Sequence, residues 1–185
     1  MSCLVTSGYE IPCRQSVGGV KNWYILSGSV STYDEASEGL ISGISGSGIF
    51  YKFEQQKENA SLTETVNASL QAGSIFYQQD GLVVLHKLDA AIRNQVLTLG
   101  KNTQLTVVAE TQNGLDSADS YSGRFFLMGR YNGAALSAAD GGTGLAFADQ
   151  SGYNITLTAM EPRPIFEVES SDGTLLSALD GITVS

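Results

Sequence analysis

Three prolines, two cysteines and one histidine are all that this 185-residue chain has of those types, and only 16% of its residues are charged. With so few thiols and imidazoles, no Cys/His cluster is available for zinc. Cys3 and Cys13 stand close together in sequence; a disulfide between them is geometrically possible, but in a reducing compartment two free thiols are expected. No apolar run approaches the ~18 residues of a membrane-crossing helix. Residues 1–8 lack the basic and apolar regions of a signal peptide, so synthesis in a cytoplasm is expected. Basic residues are scarce as well, 10 against 19 acidic ones, for a net charge of −9. A protein that grips nucleic acid by its phosphates needs the opposite balance. Disorder of the whole chain is also excluded, because 42% of the residues are hydrophobic.

What the chain does have is glycine, 21 residues of it, with abundant Ser and Thr, a composition of many turns joining short strands. Residues 1–21 read as an irregular arm, since Pro12 and Gly18-Gly19 forbid regular pairing. Residues 22–30 have the aromatic and β-branched content of a strand. The polar stretch 31–48, with glycines at 39, 43, 46 and 48, reads as a long mobile connection that orders against a partner. Residues 49–54 form a strand. In residues 61–71 a period of two puts Leu62, Val66 and Leu70 on a core face and Thr63, Thr65, Asn67 and Ser69 on the other. Residues 74–85 pair back across Ala72-Gly73, with Asp80-Gly81 as a hairpin turn or a bulge. One helix is predicted over 88–99, with Gly100 as its C′ residue.

Further strands are predicted at 103–110, 124–128, 134–139 and 153–160, and Asp140-Gly141-Gly142 reads as a turn. The fold expected is mainly β, a β-sandwich or barrel of about eight strands with one packed α-helix, an extended N-terminal arm and a long loop. The arm covers 1–21, the β-domain 22–161, and 162–185 is set apart as a C-terminal extension.

No enzyme signature is present. His86 has no motif-supplied nucleophile or orienting carboxylate and reads as structural. The glycines at 43–48 lack the lysine of a phosphate loop. Asp116, Asp119 and Asp140 do not follow calcium-loop spacing. A non-catalytic protein without metal or cofactor is expected, which leaves assembly or binding. Polar, small-residue strand faces suit a sheet that continues into a neighbour. Leu4, Val5, Ile11, Pro12, Cys13, Val17 and Val20 supply apolar surface for docking between subunits. Residues 131–185 hold seven acids against one base, Arg163, which would give one surface a strong field.

The run Ile11-Pro12-Cys13-Arg14-Gln15-Ser16-Val17-Gly18-Gly19-Val20-Lys21 resembles the opening of tail tube (major tail) proteins from tailed phages of Bacteroidetes-type hosts, although that pattern has an acid where this chain has Gln15. Tyr51-Lys52-Phe53-Glu54, the run from Glu64 to Ser69, Phe126-Leu127-Met128-Gly129 and the run from Ser151 to Glu161 are similar to the same family. The resemblance implies a virion protein that forms stacked, usually hexameric rings around a hollow tube through which DNA leaves the capsid. Its partners would be further copies of itself and other tail proteins such as the tape measure, terminator and baseplate. DNA would pass without specific binding, and no membrane would be involved. On this reading Gly43, Ile44, Gly46 and Gly48 form an inter-ring loop, and Thr63, Thr65, Asn67 and Ser69 face the lumen. The alternatives are another phage tail, baseplate or decoration domain, or a carbohydrate-binding sandwich.

Overall fold

The computed structural model describes residues 8, 9, 17–113 and 124–185. It contains ten strands, one α-helix and one 3-10 turn among the described residues, so the mainly-β expectation holds with more strands than anticipated. The first two, β1 (Val20–Ser37) and β2 (Leu40–Glu54), form one long antiparallel ribbon. They turn at Glu38-Gly39, where Gly39 takes φ +86°. The stretch expected as a mobile connection, including Gly43, Ile44, Gly46 and Gly48, is therefore strand, and Ile44 is fully buried. Its glycines answer to crowding. A Cβ on Gly46 would stand 2.3 Å from Ser29 O, and one on Gly48 would stand 2.4 Å from Ser27 O.

Strands β5 (Val107–Thr111), β6 (Arg124–Met128) and β9 (Phe166–Val168) connect β1 round to the start of β2, and the β1–β2 pairing closes the circuit into a small barrel. The last strand, β10 (Leu179–Val184), lies parallel along β2 after the 3-10 turn Leu175–Ala178. Residues 162–185 thus supply β9, the 3-10 turn and β10 to the barrel sheet. Asn22 to Leu26 are buried without a break because both faces of this sheet are covered. Tyr24, Leu26, Phe50, Val108, Phe125 and Leu127 fill one side, while Trp23, Ile25, Val107, Ala109 and Met128 face the second sheet.

That second sheet is antiparallel throughout, in the order β3 (Ser61–Ser69), β4 (Ser74–His86), β8 (Gly152–Glu161), β7 (Ala135–Gly142). Val83, Ile155, Leu157 and Ala159 turn to the barrel. Asp80-Gly81 is neither turn nor bulge, because β3 and β8 pair with β4 straight through it. Likewise Asp140-Gly141-Gly142 continues β7. The helix α1 (Ala90–Lys101) begins at Asp89, whose Oδ1 accepts the Ile92 N–H at 2.8 Å, and ends at Asn102; Gly100 lies inside it. Only Leu99 of α1 is fully buried, so the helix covers one end of the core rather than a whole sheet face. It is not long and apolar enough to cross a membrane.

Candidate assembly interface

The four-stranded sheet turns one face to the barrel and leaves the other open. Its strands alternate, so Thr63, Thr65, Gln78, Asp80, Thr156 and Thr158 come together on the open face. These groups bond to one another. The Thr158 hydroxyl donates to Asp80 Oδ1 at 2.6 Å, and Gln78 Nε2 donates to Asp80 Oδ2 at 2.8 Å. Ser137 Oγ on β7 lies 2.9 Å from Thr158 Oγ1. The charges that β3, β4, β7 and β8 contribute to this face are Asp80 and Asp140, both negative. The face is anionic and free of any fixed cation from these strands, with Phe76 and Met160 exposed among its polar groups.

Thr63, Thr65 and Ser69 are exposed on it, and Asn67 is partly so, in agreement with the period-two reading. The opposite face agrees only in part. Leu62 packs on the core between the sheets, whereas Val66 and Leu70 lie in solvent. The β3–β4 hairpin runs past the end of the barrel, so its last residues have nothing beneath them.

Both outer strands of this sheet are free: among the described residues, no strand bonds to the outer edge of β3 or of β7. The edges are nine and eight residues long. Lys and Pro occur in neither, and the edge devices present are a register shift in β7 between Leu136 and Ala138 and one inward-turned charge on β3. The one charge on β3, Glu64, turns inward and accepts the Ile165 N–H at 3.1 Å. Each edge still presents a row of backbone N–H and C=O groups that no described strand pairs with.

Other expected sites fall elsewhere. Leu4, Val5, Ile11, Pro12 and Cys13 lie outside the described residues, as do Cys3, Asp116 and Asp119. Val17 is exposed. Val20 is not offered to a neighbour: it opens β1 inside its own core, with its N–H bonded to Ala60 O at 3.2 Å. Gly43, Ile44, Gly46 and Gly48 pair with β1 on one side of β2, and residues 44–50 of β2 pair with β10 on the other. Of the seven acids in the C-terminal third, one is not at the surface. Glu161 is buried and accepts the Tyr131 and Asn132 N–H groups at 3.0 and 2.9 Å. Asp149 and Asp172 are bonded within their own loops, which holds both carboxyls below their usual range.

Sequence reasoning missed three buried polar groups, two that position this sheet and one inside the barrel. Gln79 Oε1 accepts the Gly129 N–H at 3.3 Å, tying β4 to the β6–β7 connection that Glu161 also holds. Glu110 accepts from Asn22, Tyr24 and Lys21 at one end of the barrel. Nothing in their sequence neighbourhoods marks them, because their partners are distant in the chain. A cleft of about 670 Å³ between α1 and strands β1, β2 and β4 is lined mainly by apolar groups, with His86 and the Lys52–Glu54 pair among its polar ones. Among the described residues no three His, Cys, Asp or Glu side chains stand close enough to share a metal ion. No protein-family model, curated protein or solved structure matches the chain.

Proposed function

We propose that this protein is a structural subunit of a hollow tube of the phage tail-tube type, built from stacked rings in which the four-stranded sheets join edge to edge. The observation that carries the reading is the pair of free edges on a sheet whose open face is mostly polar and has no cation on its strands. Rotation about a ring axis keeps the direction of every strand. Three antiparallel pairings separate β3 from β7, so those two strands run oppositely. A β7 edge placed against the β3 edge of the next copy is therefore antiparallel, and the sheet closes without a mismatched junction.

Size supports six copies. Twenty-four strands spaced about 4.8 Å and tilted about 40° give a backbone radius near 24 Å, roomy enough for a DNA duplex. Three copies would give about half that radius, which side chains would nearly fill. Six chains at −9 each carry −54, and the open face offers DNA no lysine or arginine from β3, β4, β7 or β8. On this reading the protein is non-catalytic, resides in the virion tail, and contacts further copies of itself and other tail proteins.

Cysteine cross-linking tests it. Within one chain β3 and β7 are three strand spacings apart, about 14 Å, beyond the ~7 Å limit for a disulfide between Cα atoms. In a background with Cys3 and Cys13 replaced by serine, cysteines at Thr65 or Thr63 on β3 and at Ala138 on β7 can pair only between chains. A ladder of covalent oligomers ending at six is expected under oxidation. Monomer alone for every pair, with no rings or filaments of the wild-type protein in negative-stain images, would remove the proposal.

A further inference from the structure

Two ends of the four-stranded sheet carry apolar side chains that the folded chain leaves bare. At one end the β3–β4 hairpin overhangs the barrel. Val66 and Ile75 share the face that the barrel would otherwise cover and are 56% and 53% exposed, with Leu70 in solvent at the turn. At the other end the β7–β8 loop presents Leu145 and Phe147, 100% and 114% exposed. That loop is not slack. Asp149 Oδ2 accepts the N–H groups of Leu145 and Ala146, both at 2.8 Å, and Ala146 O accepts the Asp149 N–H at 3.1 Å. The loop is thus built to hold two large apolar groups outward, at a cost in exposed surface that a monomer gains nothing from.

The two patches lie toward opposite ends of the sheet, separated by most of the length of the thirteen-residue β4, about 30 Å. Both are uncharged. No charged residue occurs from Thr65 to Gln79 or from Gly141 to Ala148. In a chain of net charge −9 these are places where two copies can meet without like-charge repulsion.

We infer that the β7–β8 tip of one copy packs under the overhanging β3–β4 hairpin of a second copy of this chain, so that Leu145 and Phe147 cover Val66, Leu70 and Ile75. The inference rests on the tube reading and names the axial contact that would join one ring to the next. The contact is heterologous, because different surfaces of the two copies meet. Since its two halves point in opposite directions along the strands, it does not close and propagates as a filament.

Two sets of substitutions separate the halves. Leu145→Ser with Phe147→Ser removes the tip, and Val66→Thr with Leu70→Ser and Ile75→Thr removes the overhang while keeping strand-forming residues in the strands. All five positions are exposed, so far-ultraviolet circular dichroism and Trp23 emission should match wild type. Each variant alone is expected to stop at single rings in electron micrographs and sedimentation, where wild type forms filaments. Mixed together, the two variants retain one good half each and should give pairs of rings and nothing longer. Filaments from either variant alone, or a mixture that stays as single rings, would overturn the inference while leaving the edge-to-edge ring intact. A wild-type protein that forms no rings would overturn both.

Discussion

The indole of Trp23 lies against Gly81 so closely that a Cβ on the glycine would stand 2.6 Å from the tip of the ring. Its Nε1 also donates to Leu82 O at 3.1 Å. One residue of the barrel thus bolts β1 to β4 of the second sheet, and the missing side chain at 81 makes the room. Trp23 is fully buried and is the only tryptophan.

Gly81→Ala should therefore cost stability without touching any exposed surface. Forcing a methyl against a buried ring displaces one of the two sheets, for about 1–3 kcal/mol. Urea unfolding followed by Trp23 fluorescence reads the loss directly, as a lower midpoint at unchanged slope. A midpoint equal to wild type would mean that the sheets are not held at this contact.

Glu110 predicts an acid limit. Burial by itself would raise its carboxyl, but the hydrogen bonds from Asn22 at 2.6 Å, Lys21 at 3.1 Å and Tyr24 at 2.9 Å outweigh it and hold the group below the ordinary glutamate range. A carboxyl lowered by folding contributes stability above its unfolded value, and the contribution is lost as pH falls through the folded value. The melting temperature should drop on acidification through the ordinary glutamate range and below it. Glu110→Gln should melt lower than wild type at neutral pH, and the gap between them should narrow in acid. Parallel curves for the two proteins over that range would show that Glu110 does not titrate in this way.

The contrast between β2 and β3 shows what was legible in the residues. In β3 the alternation of Thr63, Thr65, Asn67 and Ser69 with Leu62 and Glu64 gave the open face correctly, because period two is a local property. In β2 a reading from glycine and serine content failed. Gly46 and Gly48 looked like slack, yet they are strand residues where two backbones approach closely, and only the partner strand reveals that. Val66 and Leu70 obey the pattern of a core face, but whether a core lies beneath them depends on how far the barrel extends. Burial of Gln79, Glu110 and Glu161 is equally non-local, since each is satisfied by groups tens of residues away.

That reassignment of residues 43–48 has its own test. Hydrogen exchange of their amides in the unassembled protein should be slow, as for other paired strand residues, and assembly should change it little. Gly48→Ala should also destabilise the monomer by roughly 1–3 kcal/mol, because φ is +136° there and the new Cβ would meet Ser27 O at 2.4 Å. Fast exchange across 43–48 in the monomer, with protection on assembly, would restore the loop expectation.

The open face offers the sharpest functional prediction. Thr63 and Thr65 point away from the barrel, are exposed, and touch no buried partner, so lysine at both positions should alter monomer stability by no more than about 0.5 kcal/mol. The long lysine stems can reach past the pleat, and in the proposed ring of six the pair would add twelve positive charges to the inner wall. Each lysine that meets a phosphate releases counterions, so binding should be strong at low salt and fall steeply as salt rises. Tubes assembled from Thr63→Lys with Thr65→Lys are therefore expected to retain duplex DNA in co-sedimentation at low ionic strength and to release it at high. Wild-type tubes should retain none under either condition. A phage carrying the double variant should eject its DNA slowly, with the defect relieved by salt. Ejection at the normal rate in low salt, from particles shown to contain the variant, would mean that this face does not line the channel.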